Sequence, residues 1–307
     1  MSNRTDMLNA IKNHLKQNNG NGVRTVTQIR EDLIAAAKSL PRLPGVQAVS
    51  VTIGRLHGEW VDCTDEAAGS GRGKVILYYH GGGFISGTCE IYRDLAARIS
   101  AASGARVLTV EYRLAPEHVY PAANEDCLAA YDWLLAEGYS HKDIILGGDS
   151  VGASLALMTL ITLRDDGKKL PAAAFLLSPH SDLVHLDGES YDSRAELDPT
   201  GSRAGNQRIL EDYLGDYTGD MPLLLSPLRA DLHGLPPLLI QAGDQEVLLS
   251  DAERLAERAR AAGVQVTLEI WEDLWSVFQM IAAILPEGQQ AIGNIGTYVK
   301  NIWNLKE

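Results

Sequence analysis

Cysteine and long apolar runs are scarce in this sequence of 307 residues. The three cysteines, Cys63, Cys89 and Cys127, are too few and too scattered for a disulfide framework or a metal cluster. We therefore expect no metal site and a reducing compartment. No apolar run approaches the roughly 18 residues of a membrane span. The polar start of the chain also lacks the apolar core of a signal peptide, so we expect a cytoplasmic protein.

Positively charged residues are also fewer than negatively charged ones, and this difference argues against some classes of binding partner. The chain has 27 lysines and arginines against 40 aspartates and glutamates, for a formal net charge of -13. Nucleic acid or an anionic membrane surface would require a basic patch. We therefore expect neither as a partner and favour a small uncharged substrate. A hydrophobic content of 45% with 22% charged residues is typical of a globular protein with a sizeable core.

The segment 143–160 contains the motif around which the chain is organised. The apolar run 143–147 predicts a buried strand, and 153–160 predicts a helix. Between them lies a G-x-S-x-G pattern with Ser150 at its centre. In a strand, turn and helix context this pattern predicts a nucleophile elbow, in which flanking glycines permit a strained turn that exposes the serine hydroxyl. The alternative is a plain glycine and serine turn that begins a helix.

A second motif follows the apolar strand predicted over 74–79. It consists of His80 and three consecutive glycines, Gly81, Gly82 and Gly83. Three glycines cost conformational entropy when they become ordered, so their place directly after a strand needs a cause. Glycine lets the backbone approach a substrate carbonyl, and its N–H groups then stabilise developing negative charge. We therefore predict an oxyanion hole here, against the alternative of a flexible loop.

Other periodic segments predict helices and strands around these motifs. Helical spacing over 7–17 and 26–40 places two helices before the first strand, where they are available as a lid. Alternation over 46–60 predicts two strands, and apolar runs predict others over 105–111, 172–177, 238–241 and 264–271. The region 187–220 is polar and only weakly periodic.

In order and spacing, these motifs resemble bacterial esterases that are similar to hormone-sensitive lipase. The resemblance rests on the segments 80–84, 112–118 and 148–152, with Pro121, Ala122 and Asp126. It implies the α/β-hydrolase fold, with a mostly parallel central sheet flanked by helices and a helical cap. It also implies N-terminal cap helices over 1–45, and a catalytic domain over 46–307 with a second cap segment near 187–220.

The resemblance further implies a serine carboxylesterase that needs no cofactor. Ser150 would be the nucleophile of an acyl-enzyme, and the N–H groups of Gly81, Gly82 and Val151 would hold the oxyanion. The neighbouring His80, Gly83 and Asp149 would support this loop and the elbow. Homodimers are common among similar esterases, so the resemblance makes a homodimer possible, with the apolar stretch 298–305 as a candidate surface. The alternative is that this stretch packs as a final helix.

In this fold the catalytic acid follows the serine, and the histidine follows the acid. The loop after the strand at 238–241 offers Asp244 and Glu246. Aligned on Gly243 and on the helix that begins near Asp251, Glu246 occupies the family's acid position, and Asp244 is the alternative. Either residue could instead be an acidic cap of that helix.

The expected histidine is missing from this sequence. The resemblance places the base at Ser276, and the last of the eight histidines is His233, which precedes the acid. A serine hydroxyl is a poor proton acceptor near neutral pH, whereas histidine titrates there. Loss of a triad base costs roughly a million-fold in turnover. His180, in a loop at the end of a strand, is a weaker candidate for a relocated base.

Two interpretations of Ser276 stay open. In the first, the chain is a serine carboxylesterase for small short-acyl esters or lactones that is crippled by one substitution. In the second, it is a natural pseudoenzyme that binds a small molecule. Plant gibberellin receptors, which resemble this family and lack the histidine, bind their hormone under a lid. The intact motifs around Ser150 favour the first interpretation.

Overall fold

A computed structural model describes residues 2–19, 24–63 and 73–304 of the chain. One sheet of eight strands lies at its centre. The strands are β1 (Gln47–Ile53), β2 (Leu56–Asp62), β3 (Val75–Tyr79), β4 (Arg106–Glu111), β5 (Ile144–Asp149), β6 (Ala173–Leu177), β7 (Leu238–Gly243) and β8 (Val266–Trp271). Their order across the sheet is β1-β2-β4-β3-β5-β6-β7-β8. β2 alone runs opposite to the other seven strands, so the predicted mostly parallel sheet is confirmed.

Helices cover both faces of this sheet. In order along the described residues, the helices are α1 (Ser2–Asn19), α2 (Val26–Ser39), α3 (Cys89–Ser103), α4 (Ala122–Ala136), α5 (Val151–Asp165), α6 (Ser190–Ser193), α7 (Arg203–Leu214), α8 (Leu249–Ala261) and α9 (Pro286–Asn304). Short 3-10 turns occupy His141–Asp143, Leu223–Leu225, Pro227–Arg229 and Phe278–Ile281. Side chains of α4, α5 and α8 share one apolar core with the sheet, and those of α3 and α9 share a second.

Strand β3 shows why the central strands are apolar throughout. Successive side chains of a strand point to opposite faces of the sheet. Leu77 and Tyr79 accordingly lie in the core with α4 and α5, while Ile76 and Tyr78 lie in the core with α3 and α9. All five residues of β3 are buried. A strand covered on both faces therefore has no alternation of polar and apolar residues. The glycine loop begins directly at the end of this buried strand.

The parallel strands bring the predicted motifs to one edge of the sheet. The glycine loop follows β3, Ser150 follows β5, Glu246 follows β7 and Ser276 follows β8. Since these strands are parallel neighbours or near neighbours, their carboxyl ends lie at the same edge. The fold thus assembles residues that are almost 200 positions apart in sequence.

The two N-terminal helices lie where periodicity predicts them, as α1 and α2. Arg30 fastens α2 to the body of the protein. Its guanidinium donates to the carbonyl oxygens of Ile85 and Ala115, at 2.6 and 3.0 Å, and to the carboxylate of Glu117. Ile85 and Ala115 lie in the loops that follow β3 and β4. The region 187–220 contributes α6 and α7 between β6 and β7. The division into cap and catalytic domain stays a prediction.

The last helix, α9, packs against the sheet. Val299, Ile302 and Trp303 are buried in the core that α9 shares with α3. Leu305, the end of the stretch that we considered as a dimer surface, lies outside the described residues. The homodimer therefore stays a prediction. Within the described ranges, no helix has the length and apolar character needed to cross a membrane.

Candidate active site

Ser150 sits in a strained turn between β5 and α5. Its backbone has φ 52° and ψ -121°, in the region that L-residues rarely adopt. The turn is held because Ser150 N–H donates to the Leu177 carbonyl oxygen at 2.9 Å. A side chain at Gly152 would run into the Tyr79 carbonyl oxygen, and one at Gly148 would run into the backbone of Gly152. Both glycines of the motif are thus required by close backbone approach.

The glycine loop meets Ser150 at a common cavity, but one of the three predicted oxyanion donors is not available there. Gly81 N–H donates to the Asp149 carboxylate at 2.9 Å, so it is already used and does not face a substrate. The assignment of Gly81 to the oxyanion hole is therefore wrong. Gly82 and Gly83, with φ of 101° and 65°, line the cavity together with Ser150. Among described residues, no acceptor receives the N–H of Gly82, Gly83 or Val151.

Asp149 is the buried anchor of this loop. Its Oδ1 accepts from Gly81 N–H and, at 2.9 Å, from the Tyr78 hydroxyl, while its Oδ2 accepts from the Tyr92 hydroxyl at 3.1 Å. Burial raises the pKa of Asp149 to about 6, and the three donated hydrogen bonds oppose that rise. These contacts join β3, β5 and α3 beneath the glycine loop.

His80 supports the same loop from the other side. Its Nδ1 lies 2.7 Å from the Gly81 carbonyl oxygen, and its ring stacks on Tyr112 with centroids 4.2 Å apart. A side chain at Gly87 would collide with this ring. Burial lowers the pKa of His80 to about 4, so the ring is neutral. The arrangement agrees with a supporting role for His80.

Glu246 is completely buried in the loop after β7. Its Oε2 accepts from Gly243 N–H at 2.9 Å and from the Ser178 hydroxyl at 2.8 Å. Ser178 Oγ in turn accepts from Val277 N–H at 2.9 Å, which ties the acid to the loop that carries Ser276. Within the described ranges, Glu246 Oε1 has no hydrogen-bond partner. Burial raises the pKa of Glu246 to about 8, which favours the neutral carboxyl near pH 7.

Asp244 has a different set of contacts. Its Oδ1 accepts from Asp273 N–H at 2.7 Å, and its carbonyl oxygen accepts from Arg194 Nε. It is only half-buried, and it fastens the loop after β7 to the turn after β8. These contacts give Asp244 a structural task and leave Glu246 as the stronger candidate for the acid.

Ser276 follows Trp275, which is buried, and precedes Val277, which has a φ of 54°. It lines the same cavity as Ser150. Of the described residues around this cavity, none is histidine. The ring of His180 is fully buried with its Nε2 3.3 Å from the Tyr191 hydroxyl, and burial lowers the pKa of His180 to about 4. His180 is therefore poorly suited to take a proton from Ser150.

The cavity has a volume of about 840 Å³. The N-terminal helices line it with Leu15, Leu33, Ala36 and Ala37. The insertion after β6 adds Asp198, Thr200, Asn206 and Ile209. An adjoining cavity of about 1200 Å³ shares Gly82, Gly83 and Ile209 and includes His14, but neither Ser150 nor Ser276 lines it. A small, mostly apolar molecule fits the space above Ser150.

Two groups of functional residues were not predicted from the sequence. Ser178 links the acid to the loop of Ser276, and the tyrosines Tyr78 and Tyr92 hold Asp149. Tyr78 belongs to an apolar strand and Tyr92 to an amphipathic helix, so both match ordinary core positions. In the sequence, only the position of Ser178 directly after a buried strand suggested a place near the site. That position does not indicate that its hydroxyl would bind Glu246 and Val277.

Comparison with known proteins places these elements in a family. The sequence model of a family with the alpha/beta hydrolase fold matches residues 76–280. An acetyl-hydrolase of Streptomyces hygroscopicus is 40% identical over 250 residues, which are 81% of either chain. An esterase of Acinetobacter venetianus is 34% identical over 274 residues, 89% of this chain and 88% of that protein. A solved esterase from the bacterial hormone-sensitive lipase family is 40% identical, with a TM-score of 0.89 over 96% of this chain and 97% of its own.

Proposed function

The chain belongs to the α/β-hydrolase family of bacterial esterases similar to hormone-sensitive lipase, and we propose that it is a serine carboxylesterase scaffold lacking only its general base. One observation carries the proposal. Ser150, in its strained turn, shares a cavity with Ser276 and with glycine-loop N–H groups that have no acceptor among the described residues. Nucleophile, oxyanion donors and the position of the base thus converge on one space.

In the parent reaction Ser150 Oγ attacks the ester carbonyl carbon, and a base at position 276 takes the hydroxyl proton. The tetrahedral oxyanion is held by the N–H groups of Gly82, Gly83 and Val151, which have no other acceptor in the described part of the chain. The base then gives its proton to the leaving alcohol. Water hydrolyses the resulting acyl-enzyme by the same steps.

Serine at position 276 interrupts this sequence at its first proton transfer. A hydroxyl does not accept a full proton near neutral pH, so Ser150 attacks without assistance. The acid also has no function in this reaction, because no described residue around the cavity is a histidine that Glu246 could orient. The remaining rate comes from the oxyanion donors and from substrate binding, which leaves roughly a thousand- to ten-thousand-fold over water.

The substrate class follows from the cavity and from the relatives. Apolar side chains of α1 and α2 line the space above Ser150, so these helices act as a cap over an uncharged substrate. The insertion after β6, through Asn206 and Ile209, forms the second part of the cap. One relative is called an acetyl-hydrolase and another an esterase. We infer short-acyl esters or lactones as substrates.

A second candidate function is a small-molecule binding protein of the same fold. It is favoured by one observation, the lack of a histidine among the described residues around the cavity. A pseudoenzyme would keep the cap and the polar groups of the site for recognition. Its ligand would be small and largely apolar, with an oxygen that accepts from the N–H groups of Gly82 and Gly83.

The two functions are separated by restoring the base. The parent chain and its Ser276→His variant are assayed on p-nitrophenyl acetate and p-nitrophenyl butyrate. Ser276→Asn is the matched control, since its amide is polar but accepts no proton. A gain of several orders of magnitude in Ser276→His alone, abolished by adding Ser150→Ala, supports the esterase scaffold. Equal and negligible rates in all variants reject it and favour the binding protein.

A further inference from the structure

A cluster of three metal-binding side chains lies outside the site described above. It consists of His57 on β2, Cys89 at the start of α3 and Glu111 at the end of β4. One ligand atom from each side chain lies within 4.8 Å of the other two. The spacing of 57, 89 and 111 shows no metal-binding motif in the sequence, so only the fold reveals the cluster.

The backbone holds the three residues together. His57 and Glu111 are directly opposite each other in the antiparallel pairing of β2 and β4, which points their side chains to the same face. Cys89 N–H donates to Glu111 Oε1 at 2.9 Å and fixes the carboxylate beside the thiol. The thiol is buried, whereas His57 is exposed. An ion therefore has an entry path from the His57 side.

The composition of the cluster selects a class of ion. A thiolate, an imidazole and a carboxylate are the ligands that Zn²⁺ takes in proteins, at about 2.0 to 2.3 Å. Tetrahedral coordination at such distances separates ligand atoms by about 3.5 Å, so the three side chains need to approach each other by only about 1 Å.

Charge balance points to the same ion. The negative charge of the nearby Glu59 is already balanced by Arg93, whose guanidinium donates to both carboxylate oxygens at 2.7 Å. The thiolate of Cys89 and the carboxylate of Glu111 then balance the two charges of Zn²⁺, with His57 neutral. We propose that His57, Cys89 and Glu111 form a binding site for Zn²⁺ or a similar thiophilic divalent cation.

Binding releases one proton. The Cys89 thiol gives its proton to solvent, its sulfur lone pair forms the bond to the metal, and a ring nitrogen of neutral His57 and a carboxylate oxygen of Glu111 complete three bonds. A water molecule takes the fourth position. The site involves neither Ser150 nor Ser276, so the proposal stands or falls independently of the proposed esterase function.

Co²⁺ is the probe of choice because it occupies zinc sites and absorbs light when bound to thiolate. Purified full-length chain, first stripped with a chelator, is titrated with Co²⁺. We expect a thiolate-to-cobalt charge-transfer band and intense visible bands of tetrahedral Co²⁺, all removed by added Zn²⁺. The band should vanish in Cys89→Ser. In His57→Gln and Glu111→Gln the affinity for Co²⁺ should fall by about tenfold or more.

The controls keep the test decisive. His118→Gln removes another exposed histidine and Cys127→Ser another buried cysteine, and both should leave the titration unchanged. Glu111→Gln keeps an oxygen that accepts from Cys89 N–H, and His57→Gln changes only an exposed side chain, so both variants should fold. Absence of a charge-transfer band in the parent chain would overturn the proposal. So would a band that persists in Cys89→Ser, or titrations that are identical in the parent, His57→Gln and Glu111→Gln.

Discussion

Replacing Glu246 with glutamine should flatten the dependence of stability on pH. Glu246 is completely buried, and burial raises its pKa from the ordinary 4.5 to about 8. Between these two pH values the folded protein holds a proton on Glu246 that the unfolded chain has released. The stabilisation is fully present below the unfolded pKa and is lost as pH rises through the folded pKa.

The size of the effect follows from one proton. In the window between the two pKa values the free energy of unfolding should fall by about 1.4 kcal/mol per pH unit through Glu246 alone. The Glu246→Gln variant has no such proton and loses this slope. The new amide nitrogen would occupy the position of Oε1, which has no partner among described residues, but that cost is the same at every pH.

The assay is urea unfolding at several pH values between about 5 and 8, with the slope against pH compared between variants. Other buried carboxyls titrate nearby, since burial also raises the pKa of Asp251 to about 7. For this reason the difference between Glu246→Gln and the parent is the measured quantity. Glu253→Gln, an exposed glutamate on α8, is the matched control and should follow the parent. Parallel pH profiles for Glu246→Gln and the parent would show that the buried carboxyl is ionised in the folded protein.

Two further substitutions test the supports of the site. Asp149→Asn replaces one of the carboxylate oxygens, which accept from Gly81, Tyr78 and Tyr92, by an amide nitrogen that cannot accept. The free energy of unfolding, measured in urea, should fall by about 1–3 kcal/mol. An unchanged unfolding midpoint would contradict the anchoring role of Asp149. Arg30→Ala removes the contacts of α2 to the loops after β3 and β4, so it should speed cleavage within 24–39 in limited proteolysis several-fold, while Lys38→Ala on the same helix should not. Equal cleavage of both variants would mean that apolar packing alone holds α2.

The sequence predicted the parts of this protein that depend on local pattern. A short apolar run without alternation is typical of a strand buried on both faces, as β3 is. The glycines around Ser150 mark a turn in which a side chain would strike backbone, and the structure has that turn. The resemblance to the esterase family placed the acid at Glu246 and the base at Ser276, and the structure has both residues in loops at one edge of the sheet.

Prediction failed where the outcome depends on a contact between distant segments. Gly81 looks equivalent to Gly82 in the sequence, but its N–H is taken by Asp149, 68 positions away. The bridge from Glu246 through Ser178 to Val277 joins three loops in the same way. No local pattern encodes which of several donors a distant carboxylate will bind, because that choice depends on how the segments pack in the folded protein.

Covalent labelling of Ser150 by an organophosphonate tests directly whether the site lacks only its general base. Such a reagent needs the nucleophile, the oxyanion donors and the base, but it does not depend on the preferred acyl chain. Intact-mass measurements would follow labelling of the parent chain, Ser276→His, and Ser276→His with Ser150→Ala. We expect Ser276→His to be labelled once per chain, several orders of magnitude faster than the parent, and the double variant not to be labelled. Labelling of Ser276→His no faster than the parent would contradict the claim that only the base is missing.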